Sequence, residues 1–236
     1  MQEAQVALSS RRHFILQAGA LLGATVLLRP GAAGATPKEA KAAEVTPPED
    51  LMREHGVLRR LMLIYDALGA RLQQGTDFPL TALTGATDLI RRFIQDYHEK
   101  DEEEYLFPRF IKAGKMADLV QVLLQQHEAG RRLTGRLQAL STAENLKQPA
   151  DRQKLAEYLQ SFNRMYRPHA AREDTVLYPA FRPVVTPGQF DALRDTFEDK
   201  EQKLFGKDGF EKIVSQVAGL EQQLGLYDLG QFTPRS

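Results

Sequence analysis

Two matched pairs of histidine and glutamate offer the clearest chemistry in this sequence. His98 precedes Glu102 by four residues, and His169 precedes Glu173 by four, with Leu-Phe-Pro or Leu-Tyr-Pro following each pair. Residues four apart share one face of an α-helix, so each pair presents an imidazole nitrogen and a carboxylate on the same side. The pairs therefore predict two helices that contribute ligands to a common metal site.

Two further histidines lie in a second repeated segment. His55-Gly-Val-Leu-Arg-Arg-Leu is matched by His127-Glu-Ala-Gly-Arg-Arg-Leu, so the chain is internally duplicated. Four imidazoles and two carboxylates suit two divalent ions bridged by the carboxylates, with iron as the first choice and manganese or zinc less favoured. The sequence has no cysteine, which excludes thiolate metal sites, iron–sulfur clusters and disulfides.

Each of these residues has a simpler explanation when it is taken alone. A lone histidine on an apolar helix face is ordinarily a hydrogen-bonded core residue. Glu102 lies in the acidic run from Asp101 to Glu104, which by itself indicates a solvated helix face. The matched pairs, together with the two other repeated histidines, favour a metal site over a structural bundle with a vestigial site.

The spacing of apolar residues predicts that the four histidines of the repeats lie on the buried faces of helices, as in the series Val120, Leu123, His127. The fifth histidine, His13, lies near the N-terminus outside the repeats. When two residues lie at the same level of consecutive antiparallel helices, the residue midway between them in the sequence lies in the turn that connects the two helices. The midpoints, near residues 76, 112 and 148, coincide with breaks that contain glycine or proline. The sequence therefore predicts an all-α fold, an up-down-up-down four-helix bundle over residues 49–182 with the histidines at one level.

The sequence pattern over residues 186–227 predicts two extra C-terminal helices, neither of which contains a histidine. Thr186-Pro187 is typical of a helix start, and Gly206-Lys-Asp-Gly209 separates the two helices. Apolar residues such as Phe190 and Leu193 recur along one face. We expect this extension either to pack on the bundle or to offer a surface to a partner.

The first 35 residues have the features of an export signal. Arg11 and Arg12 precede an apolar run from Phe14 to Leu28, and Ala33-Gly-Ala35 supplies the small residues that signal peptidase accepts. The apolar run is shorter than the ~20 residues that cross a bilayer. The paired arginines resemble a twin-arginine signal, which predicts a cytoplasmic precursor that the twin-arginine export machinery handles.

The segment after the export signal and the charge of the whole chain bear on localisation and on partners, respectively. Residues 36–48 are rich in Ala, Lys, Glu and Pro, which predicts a solvated, flexible tether. We expect a periplasmic or otherwise exported product with no stable membrane insertion once the signal is cleaved. The 31 basic and 31 acidic side chains cancel, so no net field attracts nucleic acid, and we expect no nucleic-acid partner.

The repeated motifs resemble those of the hemerythrin-like family, also called the HHE cation-binding domain, over roughly residues 50–182. The resemblance implies a di-iron four-helix bundle in which four histidines are terminal ligands and two glutamates are bridges. Those residues are His55, His98, His127, His169, Glu102 and Glu173. Ferritin-like bundles instead use Glu-x-x-His pairs, and this chain has no such pair facing inward.

The chain departs from the oxygen-carrying hemerythrins at two positions. Those proteins have a further histidine four residues after the third ligand, where this chain has Arg131, and a last carboxylate at the position of Asp174, beside Glu173. Either acid is a possible bridge, although the repeat with Glu102 favours Glu173. A ligand position is left for water, substrate or a tyrosine, and Tyr166 is a candidate.

Three functions fit these features. The favoured one is a metal-binding protein that binds or senses oxygen or a related small molecule, with a diatomic or peroxide ligand. A non-haem di-iron enzyme acting on peroxide, nitric oxide or oxygen is the alternative, because an open ligand position distinguishes catalytic metal sites. The third is a structural helical bundle with a vestigial site. No phosphate-binding loop or nucleotide fingerprint indicates other chemistry.

Overall fold

The structure, a computed structural model, describes residues 45–234, and this range is helical with no β-strand. The expected export signal at residues 1–35 and most of the expected tether at residues 36–48 lie outside the described residues. Within residues 45–234, no helix combines the length and the apolar character needed to cross a membrane.

Helix α1, Pro47–Gln74, carries the first site histidine. It begins with a capping box, in which the Thr46 hydroxyl accepts from the Glu49 N–H and the Glu49 carboxylate accepts from the Thr46 N–H. It ends at Gly75, whose φ of 71° lies in the left-handed region that glycine adopts without steric cost. The turn at residues 75–79 follows, where the first midpoint lies.

The second helix, α2, covers residues 80–112 and is not a regular α-helix. It begins as Leu80–Leu89, becomes π-helical over Ile90–His98, and is π-helical again over Glu102–Leu106 before it ends as Phe107–Lys112. The Phe107 N–H bonds to the carbonyl of Glu102, five residues back. This wider turn carries the helix past Pro108, which has no N–H to donate.

Two further helices complete the part of the chain that carries the histidines. Helix α3 is Ala117–Leu140, and helix α4 is Pro149–Arg172, followed by the π-helical segment Glu173–Leu177. The π-helical segment repeats the arrangement at Glu102–Leu106, because both begin at the glutamate of a His-x-x-x-Glu pair. The internal duplication therefore extends to local backbone geometry.

The C-terminal helices pack on the other four. Helix α5, Pro187–Phe205, begins with a capping box formed by Thr186 and Gln189, and helix α6, Gly209–Leu224, follows. Apolar residues of α6 join the core formed by α1, α2 and α4. The Arg60 guanidinium also binds both carboxylate oxygens of Glu221, at 2.8 and 2.5 Å, which ties α6 to α1.

The core consists of two apolar clusters, and the polar residues of the repeat lie between them along each helix. On α1, Leu51 belongs to one cluster and Val57 to the other, on either side of His55. On α2, Tyr97 and Leu106 belong to different clusters. The helices thus hold a buried polar layer between two hydrophobic layers.

Candidate metal centre

The four repeated histidines come from four different helices and meet in this buried layer. Their exposed fractions are 0% for His55, 2% for His98, 0% for His127 and 4% for His169. Glu102 and Glu173, each one turn after a histidine, are 0% exposed. Water therefore does not solvate these carboxylates.

Glu102 lies between the histidines of α2 and α3. Its Oε2 atom is 3.4 Å from Nε2 of His127 and 3.8 Å from Nε2 of His98. Its other oxygen accepts a hydrogen bond from Tyr178. Glu102 is thus placed to contact ligands on both sides of the layer.

Glu173 occupies the corresponding position between α1 and α4. Its Oε2 atom is 3.1 Å from Nε2 of His169 and 3.4 Å from Nε2 of His55. Nε2 of His55 also lies 3.1 Å from Nε2 of His98. All four Nε2 atoms therefore converge on the two glutamates.

The opposite ring nitrogen of each histidine is held from outside the cluster. Each Nδ1 atom lies within hydrogen-bond distance of a carboxylate oxygen or an amide carbonyl oxygen. An oxygen of either kind can only accept a hydrogen bond. The contacts are His55 to Asp174 at 2.7 Å, His98 to Glu54 at 2.8 Å, His127 to Glu103 at 3.0 Å and His169 to Gln126 at 2.8 Å. Each Nδ1 therefore carries the hydrogen, and in the neutral ring the Nε2 lone pair faces inward, as in histidines that bind metals.

These outer partners follow the internal duplication. Glu54 and Gln126 each directly precede the first histidine of a repeat, and Glu103 and Asp174 each directly follow its glutamate. Sequence reasoning overlooked Glu54, Glu103 and Gln126 as partners, although their positions next to candidate ligands were a usable signal. It considered Asp174 as a bridge, whereas the structure places its carboxylate on Nδ1 of His55 and on Arg59.

Several atoms of the buried layer have no hydrogen-bond partner. They are Oε2 of Glu102, both carboxylate oxygens of Glu173 and Nε2 of His127. Burying a carboxylate without compensation is costly. One ligand atom from each of Glu102, His127, His169 and Glu173 lies within 4.8 Å of the others, which is a separation that a bound cation can span. The donor set and the unsatisfied atoms therefore fit a metal ion.

Burial and neighbouring charges shift the pKa values of the ionisable groups in the layer. Burial alone would lower the pKa of His55, but the hydrogen bond to Asp174 and the nearby charge of Glu173 outweigh it and raise the pKa to about 9. Burial lowers the pKa of His98 to about 3. The pKa of the Glu173 carboxyl is held well below its usual value, because His169 and His55 outweigh the effect of burial. The pKa of His127 is likewise raised well above its usual value, because Glu99, Glu102 and Glu103 outweigh the effect of burial. The layer thus combines the imidazolium rings of His55 and His127 with the ionised carboxylate of Glu173, a charge balance that a metal ion can take over.

Tyr178 also reaches the centre. Its hydroxyl donates to Oε1 of Glu102 at 2.8 Å and lies 3.5 Å from Nε2 of His55, and its ring stacks on the His55 ring. Burial and the charge of Glu102 raise the pKa of Tyr178 well above its usual value, which keeps the phenol protonated. The sequence analysis assigned no role to Tyr178. The matching repeat position is Phe107, and this difference between the two repeats was the signal that could have identified it.

Tyr166, the tyrosine that the sequence suggested for the open position, has another partner. Its hydroxyl donates to Glu99 at 2.6 Å, and Glu99 also binds Arg131 at 2.8 Å. Arg131, which stands where the carriers have a further histidine, binds Glu103 at 2.6 Å. These residues form an ion-pair network on the outer side of His127 and do not contribute a nitrogen to the centre.

Comparisons with known proteins agree with this site. Residues 46–181 match the family model described as the hemerythrin HHE cation binding domain. An uncharacterized protein of Mycobacterium bovis and uncharacterized proteins of two Mycobacterium tuberculosis strains are each 42% identical over 243 residues, covering 99% of this chain and 94% of the relative. No solved structure matches the chain.

Proposed function

Because this chain belongs to the hemerythrin HHE cation-binding domain family, we propose that it holds two metal ions, iron in the first instance, and binds or senses dioxygen or a related small molecule. The observation that carries this proposal is the orientation of the four histidines. Their Nδ1 atoms are held by acceptors outside the cluster, and their Nε2 atoms converge on buried carboxylates that have unsatisfied oxygens.

The proposed ligand set divides into two halves joined by two glutamates. His55 and His98 hold one ion, His127 and His169 hold the other, and Glu102 and Glu173 lie between them. Glu173 is preferred to Asp174 as a bridge, because Asp174 is engaged by His55 and Arg59. Nitrogen and oxygen ligands of this kind suit iron, and manganese or zinc less well in this proposal.

The proposed fold is an up-down-up-down four-helix bundle, α1 to α4, with two added helices. The order of the two apolar clusters supports it. Along α1 and α3, the cluster containing Leu51 and Val120 precedes the histidine, whereas along α2 and α4 the cluster containing Tyr97 and Phe162 precedes it. Successive helices therefore cross the histidine level in opposite senses, as short connections require.

An enzyme is the second candidate, and Tyr178 is the observation that favours it. When bound, a pair of iron ions supplies Lewis acidity and redox chemistry to a small ligand. Tyr178 holds a proton on its hydroxyl beside Glu102 and His55, in a layer from which the helices exclude water. Arg131 supplies no fifth nitrogen, because its guanidinium binds Glu99 and Glu103. In this proposal an ion with fewer protein ligands would take peroxide, nitric oxide or oxygen.

We also propose that the protein acts outside the cytoplasm. This proposal is supported by the sequence alone. The supporting features are the paired Arg11 and Arg12, the apolar run that follows them and the small residues before the tether. The twin-arginine machinery would carry a folded, metal-loaded chain. Its working site would then be the periplasm or an equivalent exported compartment.

Metal analysis of the purified protein tests the main proposal. We expect close to two metal ions per chain in the wild type and a marked loss in His98→Ala, because this substitution removes a ligand and leaves Glu102 and Glu173 under-compensated. An equal, near-zero content in both proteins, after anaerobic incubation with ferrous iron, would refute it. A reversible coloured adduct of the reduced protein with oxygen indicates a carrier or sensor, whereas peroxide turnover indicates the enzyme.

A further inference from the structure

The two halves of the centre are related by the internal duplication, but they differ at two positions. Nδ1 of His98 is held by the carboxylate of Glu54, whereas Nδ1 of His169 is held by the neutral amide of Gln126. Tyr178 stacks on His55 and donates to Glu102, whereas its counterpart Phe107 stacks on His127 without a polar group. Both differences leave the half that contains His127 and His169 less firmly held.

The change from carboxylate to amide matters for the strength with which His169 binds a metal. A hydrogen bond to a charged acceptor is about twice as strong as one between neutral groups. A carboxylate on Nδ1 also raises the basicity of the opposite nitrogen, and losing such an outer partner costs about 10–100-fold in metal affinity. His169 is the one histidine of the four whose outer partner carries no charge.

The surface next to His169 is also open. A groove of about 390 Å³ lies between α3 and α4, and His169 and Gln126 form part of its wall. The other residues of the wall are Leu119, Val122, Leu123, Pro168, Arg172 and Val176. Gln126 is half-buried in this wall, whereas His169 is buried. Solvent in the groove thus reaches the amide that holds His169.

A proline directly precedes His169 and has no counterpart in the other half. Pro168 lies inside α4 and cannot donate a hydrogen bond to the carbonyl four residues back, whereas Tyr97 precedes His98. A π-helical segment begins one turn after each of the two histidines, so it does not distinguish them. The missing hydrogen bond at Pro168 removes part of the regular bonding that would hold this turn of α4.

Resting on the metal-binding proposal, we infer that the ion between His127 and His169 is the exchangeable ion of the centre, and that Gln126 is a positioning residue that sets its rate of exchange. His169 is the ligand that leaves first when solvent enters from the groove. The ion between His55 and His98 is retained longer, because Asp174 and Glu54 hold both of its histidines.

Metal-release kinetics test this inference in the full chain loaded with two zinc ions, with a chromogenic chelator in excess. We expect two phases in the wild type, one ion leaving faster than the other. Gln126→Glu, which is isosteric and restores the arrangement at Glu54, should slow the fast phase by about tenfold or more, and Gln126→Ala should speed it similarly. The slow phase should stay unchanged in both variants.

Gln125→Glu is the matched control. Gln125 is exposed and precedes Gln126 on the same helix, so it receives the same change of charge without contact with His169. Its release kinetics should equal those of the wild type. Two ions that leave at one rate, or a fast phase that Gln126→Glu does not slow, would overturn the inference and leave the two-metal proposal standing. Failure of the wild type to bind two ions would instead overturn the two-metal proposal.

Discussion

A β-carbon placed on Gly130 would lie 1.9 Å from the phenolic oxygen of Tyr166. No real pair of atoms tolerates this distance, so the hydroxyl of Tyr166 is seated directly on the backbone of α3. The same hydroxyl donates to the buried carboxylate of Glu99. Gly130 is therefore required because the Tyr166 ring packs directly against the backbone of α3, and not because the backbone turns at this residue.

The first prediction follows from that contact. Gly130→Ala should move the Tyr166 ring away from Glu99 and destabilise the fold by about 1–3 kcal/mol, the usual cost of overpacking. Urea unfolding measures the difference. Gly135→Ala is the control on the same helix, because its β-carbon would meet only the end of Arg91 at 3.9 Å, and it should stabilise by about 0.5–1 kcal/mol. Equal unfolding midpoints for the two variants would contradict the contact.

The sequence predicted the helices and the convergence of the histidines because apolar spacing reports the buried face of a helix and because short turns restrict the register. It did not predict the π-helical turns at Glu102–Leu106 and Glu173–Leu177, since no simple residue preference marks them. It also assigned the wrong environment to Tyr166. Both Tyr166 and Tyr178 are buried and aromatic, and only the rotation of each helix determines whether a hydroxyl reaches Glu99 or Glu102.

The second prediction compares these two tyrosines. Tyr178→Phe removes the donor to Glu102 and should weaken metal binding by about tenfold or more, as loss of an outer partner does. Tyr166→Phe keeps the ligands and their partners intact and should change metal affinity much less. Competitive titration against a chelator of known affinity gives both values. A larger effect at Tyr166 than at Tyr178 would mean that the sequence-based choice of tyrosine was the better one.

The third prediction concerns removal of the metal. The unsatisfied oxygens of Glu102 and Glu173 make the metal-free layer costly, so the loaded protein should be the more stable form. With free metal at about 1,000 times its dissociation constant, binding adds about 4 kcal/mol to the free energy of unfolding. Thermal unfolding with and without ferrous iron, under anaerobic conditions, measures it. His127→Ala should show a much smaller gain, and a gain equal to that of the wild type would place the metal elsewhere.

The fourth prediction tests export. Changing Arg11 and Arg12 to lysine retains the positive charge but removes the arginine pair that the twin-arginine machinery recognises. The variant should accumulate in the cytoplasm as an uncleaved precursor, measured by cell fractionation and by the mass of the chain. Arg29→Lys, after the apolar run, is the control and should be exported normally. Normal export of the double variant would exclude the twin-arginine route.

The fifth prediction concerns the contact between the C-terminal extension and the centre. Lys200 of α5 donates to Asp101 at 2.7 Å and to Glu104 at 3.0 Å, and Asp101, the residue before Glu102, is fully buried. Burial raises the pKa of Asp101 to about 7 even though Lys200 opposes the shift. The extension therefore supplies the cation that compensates a buried carboxylate beside a proposed ligand.

Lys200→Met should consequently destabilise the fold by about 1–2 kcal/mol. Removing one partner of a fully buried ion pair costs about 3–5 kcal/mol of folding stability. The expected loss is smaller here, because the side chain of Lys200 is 22% exposed and solvent screens part of the interaction. Lys203→Met, which removes an exposed charge from the same helix, should have little effect. Adding Asp101→Asn to Lys200→Met removes the uncompensated charge, so the double variant should lose less stability than the sum of the two single changes. Additive losses in urea unfolding would show that the two residues are not coupled, and that α5 is held to the centre by its apolar face alone.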